Sequence, residues 1–249
     1  MEFNRIADIK RLNFIIKALK EKLPEGAEVL DVGCGNGVIA RSLGEQGFKV
    51  KGIDVSEKTI EKARSLNKLP NVKFEVISAE KLSANGHIYH AVICSEVLEH
   101  LNDPGKLLKV LHQLLHRDGI LIVTVPNGKG PREVFVTKPV LAMQKKNNRM
   151  WRFVKKVKSL FGYKGTTAQT DADDLTHIQF FTKPTLEELA NATKFRIIRF
   201  GKTNFIEDVF PFSFFTKRIK ILQKWDCAVA DRLPYKLTGG FVTVWEKEE

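Results

Sequence analysis

Hydrophobic positions along the chain alternate between the spacing typical of helices and that typical of strands. In the segment 5–22, apolar residues recur every three or four positions, which predicts an amphipathic helix within an N-terminal helical cover, 1–26. The further helices predicted in this way are 38–46, 57–67, 104–116 and 185–193. Short apolar runs predict strands at 28–32, 48–54, 72–78, 90–94, 120–125, 195–200 and 240–246. This alternation predicts a parallel sheet covered by helices on both faces, with ligands bound beyond the carboxyl ends of its strands.

A glycine-rich loop follows the first predicted strand. Three glycines spaced by two, Gly33, Gly35 and Gly37, lead into a helix, and Asp54 ends the next strand. Glycine permits positive φ angles and lets a ligand approach the backbone closely, while a carboxylate can accept hydrogen bonds from two ribose hydroxyls. The combination predicts a nucleoside-like ligand. Asp31, at the end of the first strand, favours a ligand with a positively charged end over a pyrophosphate.

On these residues the segment 28–126 resembles a class I S-adenosylmethionine-dependent methyltransferase, of the type 11 or quinone-biosynthesis O-methyltransferase kind. The resemblance implies one methyltransferase domain, 1–249, with a Rossmann-like, doubly wound α/β fold and helical insertions. It implies a seven-stranded sheet of order 3-2-1-4-5-7-6 with the last strand antiparallel. It also implies that S-adenosylmethionine is the cofactor, released as S-adenosylhomocysteine. The residues expected at the cofactor are Asp31, Gly33, Cys34, Gly35, Gly37, Asp54, Val55, Ala79, Glu80 and Ser95.

Acidic residues and a histidine cluster directly after the fourth predicted strand. A helical turn there would bring Glu96 beside Glu99 and His100, and the later His177 can return to the same place. The motif is similar to Glu-x-x-Glu-His in quinone-biosynthesis O-methyltransferases and in small-RNA 2′-O-methyltransferases, where these residues and a later histidine bind Mg²⁺. Three roles stay open: a metal site of Glu96, Glu99, His100 and His177, catalysis or substrate contact by His100 with Glu99, and a structural role.

Positive charge is concentrated in two parts of the chain. The 249 residues carry a formal net charge of +12. Nine basic residues and no acidic one lie within 134–170, and four more lie in a second acid-free run, 209–225. A balance of this kind points to anionic partners or surfaces.

These runs belong to two predicted inserts, a basic amphipathic insert at 129–179 and a basic aromatic insert at 207–238. The first contains 139–161, where aromatic and aliphatic residues at helical spacing alternate with lysine and arginine, as in interfacial membrane helices and substrate lids. The sequence thus predicts peripheral contact with an anionic membrane through 139–161 and 209–225. Two alternatives stay open: the apolar faces pack on the core, or the basic residues bind nucleic acid, although no recognised RNA-binding motif is present.

Composition is that of an ordinary globular protein, with 43% hydrophobic and 28% charged residues. No apolar run is long enough for a membrane-spanning helix, and the charged N-terminal segment does not resemble a secretory signal. Cys34, Cys94 and Cys227 are far apart, so neither a zinc motif nor a disulfide framework is indicated. These features favour a cytoplasmic location, with peripheral contact at the inner membrane face.

Taken together, these patterns predict an enzyme that transfers a methyl group from S-adenosylmethionine. The expected acceptor is the hydroxyl of a small or lipid-linked compound, such as a quinone precursor or a lipid-linked glycan. Two alternatives stay open: an RNA ribose 2′-O-methyltransferase that uses a Glu-x-x-Glu-His metal site, and a non-catalytic cofactor-binding protein. The sequence leaves the oligomeric state open.

Overall fold

A central β-sheet organises the computed structural model, which describes residues 3–139, 178–207, 209, 212–216 and 218–248. The strands are β1 (Glu28–Val32), β2 (Lys49–Asp54), β3 (Val72–Val76), β4 (Tyr89–Ser95), β5 (Leu115–Pro126), β6 (Phe195–Lys202) and β7 (Gly240–Lys247). Within the described ranges they form one seven-stranded sheet of order β3-β2-β1-β4-β5-β7-β6, in which β7 runs antiparallel to both of its neighbours. The predicted fold class, strand order and antiparallel last strand are confirmed.

Helices follow most of the strands, as the alternation of patterns predicted. They are α1 (Ile6–Lys22), α2 (Val38–Gly44), α3 (Glu57–Leu66), α4 (Ala79–Ser83), α5 (Pro104–Leu114), α6 (Lys183–Ala192), α7 (Phe212–Thr216) and α8 (Lys220–Arg232). Short 3₁₀ turns occur at Leu98–His100 and Tyr235–Leu237, and a short π-helix spans Glu133–Thr137. Side-chain caps begin several helices: Ser56 accepts a hydrogen bond from the amide of Thr59, and Asp103 accepts one from the amide of Lys106.

Most predicted boundaries lie within two residues of the observed ones, and the largest difference lies between α5 and β5. The helix was predicted to continue to His116, but it ends at Leu114 and the strand begins at once. The reason is that Leu115 already pairs with Tyr89 of β4, five residues before the continuous pairing of Ile120 with Ala91. Pairing with a neighbouring strand therefore overrides the helical pattern of the last residues.

Two apolar layers cover the two faces of the sheet. On one face α1, α2 and α3 pack through residues such as Ile15, Leu43 and Ile60, all of which are fully buried. On the other face α5 and α6 pack through Leu108 and Leu186. Fully burying an aliphatic side chain of this size contributes about 1.5–3 kcal/mol, so both layers stabilise the sheet that holds the loops.

The connections at the carboxyl ends of the parallel strands form one edge of the molecule. The chain between β6 and β7 also lies at this edge, because Gly240 at the start of β7 pairs with Pro126 at the end of β5. The second basic insert is therefore on the same side of the sheet as the glycine-rich loop. Among the described helices, none has both the length and the apolar character needed to cross a membrane.

Two of the predicted features fall outside the described residues. They are the segment 139–161, apart from Pro139, and His177. The structure describes most of the second insert, 207–238. The division of the chain into one domain with a helical cover and two inserts stays a prediction.

Candidate functional site

The glycine-rich loop connects β1 to α2 at the carboxyl edge of the sheet. Gly33, Gly35 and Gly37 have φ angles of 68°, 55° and 78°, in the left-handed region that favours glycine. The amides of Gly33 and Cys34 donate to the carbonyl oxygen of Ile53, over 2.9 and 3.0 Å. These bonds fix the loop against the end of β2, where Gly33 is exposed and Cys34, Gly35 and Gly37 are buried.

Asp54 lies at the end of β2 and joins this loop to the start of α3. One of its carboxylate oxygens, Oδ2, accepts from the Gly35 amide over 3.1 Å, and the other, Oδ1, accepts from the Ser56 amide over 2.9 Å. Its carbonyl oxygen accepts from the amide of Ile77 over 3.1 Å, so the chain after β3 lies beside it. Asp54 is therefore held in place by backbone on three sides.

The residues predicted to border adenine and ribose lie next to Asp54. Val55 is largely exposed although it is apolar. Ala79 begins α4 and is buried, while Glu80 beside it is exposed. Val55 and the start of α4 thus lie beside the end of β2, and their contact with adenine and ribose stays a prediction.

Asp31, the penultimate residue of β1, has an unusual environment for an acidic side chain. It is 1% exposed, and its Oδ2 oxygen has no hydrogen-bond donor among the described residues. Burial, and secondly the charge of Asp54, raise the pKa of this carboxyl from 3.8 to about 7. A buried carboxylate oxygen without a donor has the chemistry to pair with a positively charged ligand group, and its contact with S-adenosylmethionine stays a prediction.

Cys34 and Ser95, also predicted at the cofactor, are both buried. Burial raises the pKa of the Cys34 thiol, so this side chain stays neutral and acts as a small apolar group in the loop. The Ser95 hydroxyl hydrogen-bonds that of Thr124 over 2.9 Å. The structure brings both residues to the carboxyl edge, and their contact with a cofactor stays a prediction.

Glu96 departs from the helical turn that the sequence predicted for residues 96–100. Its φ is 58°, and the 3₁₀ turn begins only at Leu98. Two hydrogen bonds to Thr124 hold it there: the Glu96 amide donates to the carbonyl of Thr124 over 3.0 Å, and the Thr124 hydroxyl donates to Glu96 Oε1 over 2.9 Å. A left-handed backbone at a non-glycine residue costs free energy, and it persists here because the surrounding contacts impose it.

Arg11 of α1 is a site residue that the sequence reasoning missed. Its Nη1 lies 3.1 Å from Glu96 Oε1, and its Nη2 lies 2.9 Å from Asp8 Oδ1. The helical cover thus supplies the positive charge that neutralises Glu96. Its spacing in the sequence could have identified it, because Arg11 lies four residues from both Ala7 and Ile15 and therefore on the buried face of α1.

Glu99 and His100 lie in the 3₁₀ turn that follows. Glu99 is 1% exposed, and burial, followed by the charge of Glu96, raises its pKa well above the ordinary value. His100 Nε2 is 3.9 Å from Glu99 Oε1. The amides of Ile178 and Gln179 donate to the carbonyl oxygen of Glu99, so the chain does return to this turn.

No group of three His, Cys, Asp or Glu side chains is arranged to hold a metal ion in the part of the chain that the structure describes. His177, the fourth predicted ligand, lies outside that part. Glu96 already has a cationic partner, Arg11, and burial favours the neutral form of Glu99. The metal site stays a prediction.

Comparison with known proteins identifies the family and the fold of this chain. A family model described as a methyltransferase domain matches residues 4–199. The ubiquinone biosynthesis O-methyltransferase of Neisseria meningitidis serogroup A is 38% identical over 112 residues, which are 43% of this chain and 47% of that protein. The protein of the same name from Rickettsia canadensis is 36% identical over 121 residues, covering 47% of this chain and 51% of that protein. The matched stretch is therefore about half the length of these curated relatives.

Solved structures share the fold at low sequence identity. A 1,6-didemethyltoxoflavin-N1-methyltransferase from Burkholderia thailandensis, with bound 1,6-didemethyltoxoflavin and S-adenosylhomocysteine, has a TM-score of 0.58 and 18% identity. That similarity covers 99% of this chain and 80% of the other. Magnesium protoporphyrin IX methyltransferase from Synechocystis, with bound S-adenosylhomocysteine, has a TM-score of 0.56 and 16% identity over 98% and 84% of the two chains. At these identities the similarity shows the fold alone.

Proposed function

The chain belongs to the methyltransferase domain family, and we propose that it transfers the methyl group of S-adenosylmethionine to a hydroxyl oxygen of a small or lipid-linked acceptor. The observation that carries the cofactor part is the buried Asp31 carboxylate, whose Oδ2 lacks a donor among the described residues beside the glycine-rich loop. Oxygen as the acceptor atom is supported by the relatives named O-methyltransferases, which match about half of their length. Those names also give the RNA alternative no support.

Three groups of residues at the carboxyl edge fit S-adenosylmethionine. Asp54, with its carboxylate fixed by the amides of Gly35 and Ser56, has lone pairs left for ribose hydroxyls. The loop glycines permit close approach of the ligand to the backbone, and Asp31 would pair with the positively charged end. When bound, S-adenosylmethionine supplies an electrophilic methyl group on a sulfonium. The main task of these residues is to orient it, because correct alignment of two reactants lowers the barrier by several kcal/mol.

The acceptor hydroxyl has to lose a proton, and His100 is the residue proposed to take it. A neutral imidazole accepts a proton readily near neutral pH. The Glu99 carboxyl, whose neutral form burial favours, lies 3.9 Å from His100 Nε2, beyond hydrogen-bond distance, and neither of its oxygens has a hydrogen-bond partner among the described residues. It would orient the imidazole through a hydrogen bond that forms when the acceptor binds. Glu96 is bound instead by Arg11 and Thr124. His100 and Glu99 are thus proposed as base and positioning residue.

The test is transfer of a labelled methyl group from S-adenosylmethionine into a cell extract, followed by separation of organic, RNA, protein and small aqueous fractions. We expect label in the organic or small aqueous fraction as an O-methyl product. His100→Gln should abolish the transfer and leave S-adenosylmethionine binding intact. His116→Gln is the matched control, because His116 is exposed near the amino end of β5, on the opposite edge of the sheet.

Parallel reactions with Mg²⁺ and with EDTA separate the two roles proposed for the Glu-His cluster. Transfer that survives EDTA supports His100 as the base, whereas transfer that EDTA abolishes and Mg²⁺ restores would place a metal at the cluster instead. Label in RNA would overturn the proposed acceptor. Tight cofactor binding with no product in any fraction would favour the non-catalytic alternative.

A further inference from the structure

Exposed apolar side chains are concentrated in the second basic insert, on α7 and the first turns of α8. We call this group the insert patch; it consists of Phe212, Phe215, Ile219, Ile221, Leu222 and Trp225. Ile221 is 72% exposed and Trp225 is 61% exposed, although both are large apolar residues. Scattered single residues of this kind are normal on protein surfaces, but a contiguous run indicates an interaction site.

The orientation of α8 explains why the patch stays outside. The buried face of this helix carries the polar Gln223 and Asp226, which are 2% and 1% exposed, and then the small Cys227 and Ala230. Gln223 Oε1 accepts from the Ile6 amide over 3.0 Å, and its Nε2 donates to the carbonyl of Thr216 over 2.8 Å. The Asp226 carboxylate accepts from two further backbone amides, over 2.8 and 2.9 Å.

In its first turns α8 departs from the usual arrangement of an amphipathic helix, because polar Gln223 and Asp226 are buried while Ile221 and Trp225 are exposed. Rotating α8 to bury Ile221 and Trp225 would break all four hydrogen bonds and leave their buried donors and acceptors without partners. The cost of such unpaired groups holds Gln223 and Asp226 inward. The apolar face is therefore presented to the surroundings by specific contacts.

Positive charges surround the apolar residues of the patch. Arg218, Lys220 and Lys224 are all exposed, and no acidic residue occurs anywhere in 209–225. The Arg218 guanidinium lies 4.4 Å from the centre of the Phe214 ring. An exposed apolar surface with a rim of only positive charge is complementary to an anionic lipid bilayer, in which apolar chains lie beneath negatively charged headgroups.

The patch also lies on the same edge of the sheet as the proposed active site. The chain leaves β6 and enters β7 at the carboxyl edge, where Lys202 pairs with Phe241. Helix α1 links the two regions, because its first residue, Ile6, bonds to α8 while Arg11 pairs with Glu96. A bilayer bound to the patch would therefore lie at the carboxyl edge of the sheet, where the acceptor is proposed to bind.

We propose that the insert patch, with Arg218, Lys220 and Lys224, is a binding surface for anionic lipid bilayers. The aromatic and aliphatic side chains enter the interfacial region, and the basic side chains pair with anionic headgroups. Binding to the bilayer is independent of methyl transfer. Only the further step, delivery of a lipid-linked acceptor to the carboxyl edge, rests on the proposed function.

The experiment is cosedimentation of the full chain with vesicles of equal parts phosphatidylglycerol and phosphatidylcholine, and with vesicles of phosphatidylcholine alone. We expect binding to the anionic vesicles only, and weaker binding as salt is raised, because salt screens the surface charge. Ile221→Ser with Trp225→Ser should lower the partition coefficient roughly tenfold or more through lost apolar burial. Lys220→Glu with Lys224→Glu should lower it by at least about tenfold, since each basic residue near the surface contributes about fivefold.

The matched control is Lys58→Glu with Lys62→Glu, which reverses two exposed charges at the same spacing on α3. This pair lowers the net charge from +12 to +8, as the patch pair does, and should still bind vesicles within about twofold of the unaltered chain. The proposal is overturned if the unaltered chain ignores anionic vesicles. It is also overturned if both patch variants bind normally, which would assign the contact to another segment.

Two further results would assign the patch to another occupant. If the serine variants change the mass measured by light scattering and leave vesicle binding unaltered, the patch joins two copies of this chain. If the patch variants lose affinity for RNA and keep their affinity for vesicles, the partner is nucleic acid. S-adenosylmethionine binding and methyl transfer to a soluble acceptor, measured without vesicles, report separately on the proposed function.

Discussion

Replacing Asp31 by asparagine should stabilise the ligand-free protein while it weakens binding of S-adenosylmethionine. Asp31 is buried in β1, and its pKa of about 7, against an ordinary 3.8, means that the folded chain resists loss of this proton. Each pH unit between the two values is worth about 1.4 kcal/mol, so the charged carboxylate destabilises the folded state by about 4 kcal/mol at most. Asparagine has nearly the same shape and resembles the neutral acid.

Because the pKa of Asp31 is raised in the folded chain, the stability gained by Asp31→Asn depends on pH. Below pH 3.8 the carboxyl is protonated whether the chain is folded or unfolded, so asparagine brings no advantage. As the pH rises to about 7, the unfolded chain ionises freely and the folded chain does not, and the aspartate protein loses stability relative to the variant. Above that value the difference is constant. The stabilisation by asparagine is therefore small in acid and complete in mild alkali.

Denaturant unfolding of both proteins, followed by circular dichroism from about pH 5 to about pH 8, measures this difference directly. We expect the advantage of Asp31→Asn to grow by about 1.4 kcal/mol per pH unit up to about pH 7. In thermal unfolding, the full effect corresponds to a rise of roughly 10 °C in Tm for a chain of this size. Calorimetric titration with S-adenosylmethionine should show much weaker binding by the variant.

The reasoning is refuted if the difference in stability between the two proteins does not change with pH. It is also refuted if the asparagine protein is the less stable one at about pH 8, because the carboxylate would then have a stabilising partner in the folded chain. Unchanged affinity of the variant for S-adenosylmethionine would show that Asp31 does not pair with the positively charged end of the ligand. The stability and binding results thus test the two claims separately.

Two other substitutions test the contacts that shape the edge. Arg11→Met removes the cation beside Glu96 and should lower the free energy of unfolding by about 1–3 kcal/mol, less than for a fully buried pair because Glu96 is part-exposed. Lys17→Met, which breaks an exposed ion pair on the same helix, should lower the free energy of unfolding by less than about 0.5 kcal/mol. Equal losses of stability in the two variants would contradict the importance of the Arg11 pair. Gly33→Ala should cost about 3 kcal/mol or more, because its φ is 68° and the new Cβ would lie 2.5 Å from a valine methyl carbon. Gly86→Ala has the same φ with nothing within 4 Å, so its cost should be about 1 kcal/mol, and equal costs in denaturant titrations would rule out the close approach.

Local patterns were sufficient for most of the strands and for the glycine-rich loop, whereas the order of the strands followed from the family resemblance. Short β-branched runs mark the strands, although pairing with β4 moved the start of β5 to Leu115, and the glycine spacing indicates positive φ angles directly. The side-chain hydrogen bonds and ion pairs of the site depend on contacts between residues far apart in the sequence. The periodicity of apolar residues does not indicate such contacts. The left-handed Glu96 depends on Thr124, 28 residues later in the chain, and its cation comes from Arg11 in the N-terminal helix.

The orientation of α8 shows the same limit in another form. Aromatic and basic residues in the second insert were visible in the sequence, and they predicted peripheral contact with a membrane without giving the direction of any side chain. The helix instead buries Gln223 and Asp226, because backbone groups of α1, of α7 and of the chain after β6 need partners there. The structure therefore shows that the apolar residues of the insert patch face outward, which could not be predicted from the composition of the insert.

The central claim is that the carboxyl edge binds S-adenosylmethionine through Asp54 and the glycine-rich loop. The most direct measurement is calorimetric titration of S-adenosylmethionine into the unaltered chain and into Asp54→Asn. We expect saturable binding of one ligand per chain, and affinity at least about tenfold weaker in the variant, because hydrogen bonds to a charged group are worth about 1.5–3 kcal/mol. Absence of binding by the unaltered chain, or equal affinity of the two proteins, would contradict the account.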